Sequence, residues 1–250
     1  MSRPILEVIG LNKHFGGIYV TNNVNFAMAE GEQVAMIGPN GAGKSTFFNL
    51  LTGYHSPDQG QVIFDGQDIT RWPPEAIVRT GISRAFQVSN IFPRLTVMEN
   101  VRSAVHAYMG VTLNMFAKAE RIGTDETMQV LELCGMTGKV DSPAGQLSQG
   151  DKKKLELAIA LAGQPKLLFL DEPTAGMSRD ETQETMDLVD RLNRDLRLSV
   201  LFTEHDMSVV FNHAKRVTLL HRGEIIVEGT PDEVRDNETA QKIYLGEQHL

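Results

Sequence analysis

Cysteine is almost missing from this chain of 250 residues; Cys134 is the only one. One thiol excludes an internal disulfide and fits a reducing compartment. Cys134 lies in the apolar pattern VLELCGM, which places it in the core. Long hydrophobic runs are missing too. No stretch approaches the roughly 18 apolar residues that a bilayer-crossing helix needs, so any membrane role must come through a partner. The opening MSRPILEVIG lacks the charged-then-apolar pattern of a signal peptide. Positive charge is also in short supply. Lys and Arg number 24 against 32 Asp and Glu, a net charge of −8, which argues against nucleic acid as the main partner. The run Lys152-Lys153-Lys154 does not reverse that balance. No internal repeat or low-complexity stretch is visible. The composition that remains, 41% apolar and 22% charged, is that of a globular protein with enough length for a large core and a subdomain.

Residues 5–11, 24–28, 32–38, 61–66 and 81–87 read as strands, with clean alternation in VNFAM. From about 88 to 163 the pattern turns helical. TVMENV opens one helix, with Thr96 and Glu99 at capping-box spacing. ETMQVLELCG is a second, ended by glycine, and LSQGDKKKLELAIALAG is a third. Strands then return as continuous apolar runs, KLLFLDEP, LSVLFTEH and RVTLLH, which suit a parallel sheet buried on both faces. A polar helix spans about 180–195, HRGEIIVEG forms a hairpin, and 231–247 is a short helical tail. The chain is therefore expected to be an α/β core interrupted by a helical insertion of about 75 residues.

GPNGAGKST, residues 38–46, matches the phosphate-loop pattern G-x-x-x-x-G-K-[ST], with a buried strand before it and a helix after it. Gly38, Pro39, Asn40, Gly41, Ala42, Gly43 and Thr46 form a cradle in which the glycines let the backbone fold closely around phosphates, so that its N–H groups, which Pro39 lacks, point inward. Lys44 supplies a point charge for the β- and γ-phosphates, and the Ser45 hydroxyl suits Mg²⁺. LLFLDEP sets Asp171 and Glu172 at the end of a hydrophobic strand, where ligands gather in open α/β sheets. Neighbouring strand residues point to opposite sides, so the two acids need not share a role. Asp171 suits the magnesium and Glu172 suits polarising water; capping the next helix is the plainer alternative for both.

LSQGD, residues 147–151, admits two readings. Ser148 and Asp151 fit the helix cap [ST]-x-x-[DE], with Leu155, Ala158, Ile159 and Ala162 as the buried stripe. Ser148 and Gly150 also stand at a helix N-terminus, a ready anion site.

A phosphate loop, Gln87, LS-x-G, apolar-Asp-Glu-Pro and His205, in that order, resemble the ABC-type ATPases across essentially the whole chain. The resemblance implies a P-loop NTPase of RecA-like core, with an antiparallel β subdomain and a helical insertion. Residues 1–87 and 164–230 would form the core and β subdomain, 88–163 the helical subdomain, and 231–250 the tail. It implies ATP and Mg²⁺ as cofactors. By the same resemblance two ATPases pack head to tail, so Ser148 and Gly150 would hold the γ-phosphate of a neighbour's ATP. Glu172 would be the catalytic base, and His205 would contact the γ-phosphate. Gln87 would touch the magnesium and the attacking water. Phe15 would stack on adenine, with core packing as its alternative. Some positions depart from the family pattern: Gln149 and Asp151 stand where the signature usually has glycine and glutamine, and Ser178 replaces an aspartate that normally communicates across the dimer.

FGGIYVTNNVNF, GISRAFQ, EHDM and YLGE look closest to the ATPase subunits of branched-chain amino acid importers, a branch that also handles urea, amides and aromatic acids. That branch implies a second, related ATPase, integral-membrane permeases, a periplasmic solute-binding protein, and a peripheral place on the cytoplasmic face of the inner membrane. Ile91, Phe92 and Leu95 would line a groove for a permease helix, or else be buried in the insertion. A lipopolysaccharide-export ATPase, a soluble ABC protein and a plain P-loop kinase are the competing readings.

Overall fold

The computed structural model describes residues 3–85, 91–110 and 122–245. β1 (Leu6–Phe15) and β2 (Ile18–Met28) form an antiparallel hairpin, Leu6 opposite Met28 and Phe15 opposite Ile18. The strand expected over 5–11 thus runs four residues further, because β2 pairs with it up to the Gly16–Gly17 turn. The expected alternation in β2 holds, with Val24, Phe26 and Met28 buried. β3 (Gln33–Ile37) leads through the glycine loop into α1 (Lys44–Leu51). β4 (Gln59–Phe64) and β5 (Gln67–Asp68) complete an antiparallel sheet of order β2-β1-β4-β5. Next comes α2 (Pro74–Thr80), which apolar periodicity does not announce. Its signal is punctuation, with Pro74 at its first position and Gly81 closing it. β6 (Ile82–Ala85) follows.

The helical stretch contains α3 (Val97–Met109), α4 (Thr124–Leu133) and α5 (Gln149–Leu161). The predicted box at α3 is present: Glu99 N–H donates to Thr96 Oγ1 at 3.1 Å, and Thr96 N–H to the Glu99 carboxylate at 2.8 Å. Ser148 caps α5 by accepting from the Asp151 N–H at 3.2 Å. Leu155, Ala158 and Ala162 are buried beneath it, with Ile159 packed at the edge. The chain continues through β7 (Leu167–Asp171), α6 (Arg179–Leu196), β8 (Ser199–Thr203) and α7 (Met207–His213). It ends with β9 (Arg216–His221), β10 (Glu224–Gly229), α8 (Pro231–Arg235) and α9 (Glu238–Leu245). The tail is thus two short helices, separated after the Thr230–Glu233 capping box of the first.

The second sheet has the order β10-β9-β3-β8-β7-β6, all parallel except β10, which returns along β9 as the expected hairpin. β3 and β8 are buried at every position, which is why they read as unbroken apolar runs. Successive β3 side chains serve opposite faces. Val34 and Met36 join Phe47 and Phe48 of α1 and the inner face of the antiparallel sheet, including Leu6, Val8 and Phe26. Ala35 and Ile37 join the helices on the other side, among them Val101, Leu155, Met186 and Val210. Cys134 sits in that second core, 2% exposed, and burial pushes its thiol up to about 12. No helix among the described residues is long and apolar enough to cross a membrane.

Candidate functional site

The site lies at the carboxyl ends of β3, β7 and β8. Steric necessity fixes the loop after β3. A Cβ on Gly38 would come within 2.1 Å of the Leu220 carbonyl oxygen, and one on Gly43 within 2.4 Å of the Val20 carbonyl oxygen. Neither position admits a side chain, and Gly43 also takes φ 109° as the N-cap of α1. The Gly223 N–H donates to the Ala42 carbonyl at 2.9 Å, so the β9–β10 turn holds the loop from behind. Lys44 is buried and donates to the carbonyls of Gly38 and Pro39, the latter at 3.1 Å. Ser45 is exposed at the first turn of α1, with Thr46 half-buried beside it. The loop from Pro39 to Thr46, with Val20, Asp171, Glu172 and His205, lines a cleft of about 180 Å³.

Asp171 and Glu172 diverge, because β7 ends at Asp171 and the backbone leaves the strand at Glu172. Asp171 turns inward. Its Oδ1 accepts from the Thr203 hydroxyl at 2.8 Å, and its Oδ2 from Arg84 at 2.8 Å. Arg84 also donates to Asn49 Oδ1 at 2.6 Å and lies over the Phe48 ring. Glu172 turns to the cleft. Its backbone is left-handed, φ 52°, an unfavourable conformation for a side chain of this size. Its N–H is held by the Thr203 carbonyl at 3.1 Å. Glu172 Oε1 lies 2.9 Å from His205 Nε2, and both side chains are about half exposed. Glu204 is buried directly before that histidine. It accepts from the Thr174 N–H and hydroxyl, at 2.9 and 2.7 Å, and from the His205 N–H at 3.2 Å. This carboxylate ties the loop after β8 to the loop after β7, which sets the register of His205 against Glu172.

The structure therefore brings together the phosphate loop, Asp171, Glu172 and His205. Gln87 lies outside the described residues. Phe15 is 46% exposed, not core-packed; it stacks edge-on against His55 at 5.4 Å, with Lys13 5.3 Å from its ring. Ser148 and Gly150 do not line this cleft and stand at the start of α5. Phe92 is exposed, whereas Ile91 packs on the helical core. Motif reading missed Arg84, Thr203, Glu204 and Val20. The available signal was an arginine within the buried strand ISRA and a threonine and acid ending LSVLFTE. A larger hollow, about 610 Å³, sits at the opposite end of β3 beside Asp190 and Lys215. His213 there pairs with Asp190 at 2.8 Å, and Gln33 donates to the same carboxylate, which ties α6 and α7 to the sheet.

Residues 21–175 match the family described as ABC transporter, and residues 224–249 match the family described as branched-chain amino acid ATP-binding cassette transporter. The chain is 37% identical to the high-affinity branched-chain amino acid transport ATP-binding protein BraF of Pseudomonas aeruginosa, covering 99% of this chain and 100% of that protein. It is 32% identical to the lipopolysaccharide export system ATP-binding protein LptB of Haemophilus influenzae, covering 98% of each. Among solved structures it is similar to the ADP conformation of an ATP-binding cassette of an ABC transporter, with TM-score 0.87, 27% identity and coverage of 98% and 100%. It is also similar to a dimeric cassette in a post-hydrolysis state bound to ADP and Pi, with TM-score 0.75, 26% identity and coverage of 90% and 98%.

Proposed function

We propose, from the premise that this chain belongs to the ABC transporter ATPase family, that its ATP hydrolysis drives uptake of branched-chain amino acids or related small polar solutes. The pairing of Glu172 with His205 at the mouth of the phosphate-loop cleft carries the chemistry. The match of residues 224–249 to the branched-chain cassettes supports the branch. Residues 1–87 and 164–230 act as the nucleotide-binding core with its β subdomain, and 88–163 as the helical subdomain.

The loop amides of residues 38–46 and Lys44 bind and orient the triphosphate. For Lys44 this means exchanging the carbonyls of Gly38 and Pro39 for phosphate oxygens. Phe15, exposed beside the loop-contacting strand, offers its ring to adenine. Glu172 takes a proton from the attacking water, and His205 holds its carboxylate in place and faces the γ-phosphate. The donor set fits Mg²⁺, a hard cation that takes oxygen ligands and keeps several waters. Ser45 Oγ is free to ligate directly. Asp171 already accepts from Thr203 and Arg84, which suits contact through water. When bound, magnesium would supply positive charge against the negative charge developing on the phosphates. By the family resemblance Gln87 would be a further oxygen ligand.

Ser148 and Gly150 serve the nucleotide of a second ATPase packed head to tail, either a copy of this chain or a related one. Permeases dock on the helical side, where exposed Phe92 offers an apolar contact. They hold the chain at the cytoplasmic face of the membrane and link it to a periplasmic solute-binding protein.

Native capture tests this reading. A tagged Glu172→Gln chain is expressed in its source, and membranes are solubilised in Mg-ATP. The expected companions are two permeases and a second ATPase. Exporter subunits with only copies of this chain would move the assignment to lipopolysaccharide export. Ribosomal proteins, or no membrane subunit, would overturn transport.

A further inference from the structure

Two of the departures from the family pattern, Asp151 and Ser178, bear on the start of α5, the second through Glu181. Ser178 caps α6 and fixes Glu181. The Ser178 N–H and hydroxyl each lie 3.0 Å from Glu181 Oε2. That leaves Oε1 turned across to the neighbouring helix. A Cβ on Gly150 would stand 3.1 Å from Glu181 Oε1, so the carboxylate lies directly on that glycine. Gly150 is buried, although it belongs to the first turn of a helix whose cap, Ser148, is exposed. The Ser148 hydroxyl is engaged as well, 3.0 Å from Asp151 Oδ2, and Lys139 clamps Asp151 from the other side.

Ser148 Oγ and the Gly150 N–H are the two donors that the head-to-tail reading assigns to a neighbour's γ-phosphate. In the free chain both face carboxylates. The charge state agrees with this. Ser178's N–H and hydroxyl, and after them the Gly150 N–H, hold the Glu181 carboxyl below the usual carboxylate range. Burial pushes Asp151 up, but Lys139 and Ser148 more than offset it. Both groups are therefore anionic at neutral pH, at a helix end that favours anions.

The geometry points to Asp151 and Glu181 as internal stand-ins for phosphate, which must be displaced before ATP bridges two subunits and which therefore set the ATP concentration that bridging needs. The inference rests on the trans role of Ser148 and Gly150. Ser178 contributes by positioning Glu181. Lys139, once released by Asp151, remains beside the incoming phosphate.

The test has two arms. In the free full-length chain, the Gly150 amide exchanges with solvent faster in Glu181→Ala than in wild type. In the chain purified with its copurifying subunits, ATPase activity is titrated with Mg-ATP. Asp151→Asn with Glu181→Gln keeps the shapes and removes both charges, and the half-saturating ATP concentration falls by up to about fivefold, as for exposed charges. Ser148→Arg serves as the control for the trans site and raises the half-saturating concentration. An unchanged or higher half-saturation in the double variant, with Ser148→Arg impaired, overturns the inference alone. A neutral Ser148→Arg overturns the trans site and the inference with it. Unchanged Gly150 exchange in Glu181→Ala removes the contact on which the inference stands.

Discussion

Replacing Arg84 by methionine isolates the ion pair beneath the site. Arg84 and Asp171 leave only 9% and 12% of their side chains exposed. Methionine keeps a stem against Phe48 and removes the charge. Asp171 is then a carboxylate in a poorly solvated place with one donor left, the Thr203 hydroxyl. Removing one partner of a buried ion pair costs about 3–5 kcal/mol. With the Thr203 bond retained, the lower end applies, about 3 kcal/mol. Urea unfolding of the purified chain measures it. Adding Asp171→Asn to Arg84→Met removes the stranded charge and recovers more than half of the loss, although Asp171→Asn by itself impairs ATP hydrolysis. A loss below about 1 kcal/mol for Arg84→Met, or no recovery in the double variant, would refute the claim that Arg84 neutralises Asp171.

Three further outcomes follow from single residues. Ser178→Ala removes the cap of α6 and costs about 1 kcal/mol in the same urea assay; an unchanged midpoint contradicts the cap. Burial raises the Glu32 carboxyl, but the Arg216 and Ala29 bonds bring it below its ordinary 4.5. The stability it adds is present above about pH 4.5 and is lost as pH falls through the lowered value, so Glu32→Gln flattens the acid limb of stability against pH. Cys134 does not react with Ellman's reagent at pH 8 in the folded chain and reacts fully in urea, since the thiolate needed for attack is suppressed.

Much of the fold is legible from apolar runs and glycine, because the parallel strands are buried on both faces and the β9–β10 hairpin turns at Gly223; the tip of the β1–β2 hairpin at Gly16–Gly17 is not, since its residues are exposed. α2 and α7 escape because each is short: α2 buries only Ile77, and α7 only Val209 and Val210. The phosphate loop, Asp171 and Glu172 are legible as motifs because each spacing is set by a local turn, and His205, 33 residues beyond Glu172, only through the family's order of motifs. Arg84, Thr203 and Glu204 are not, since each acts across the sheet on a residue 30 or more positions away. The contact between Glu181 and Gly150 lies outside any motif for the same reason. It needs α5 and α6 side by side, and only the packing of their shared core places them so.

The proposed hydrolysis rests on Glu172 as the group that activates water. Single-turnover hydrolysis of γ-labelled ATP, with nucleotide binding measured on the same samples, tests it directly. Glu172→Gln should bind ATP as wild type does and hydrolyse it at least about a hundredfold more slowly, the usual contribution of a general base. Hydrolysis within about threefold of wild type, with binding intact, would place the catalytic base elsewhere.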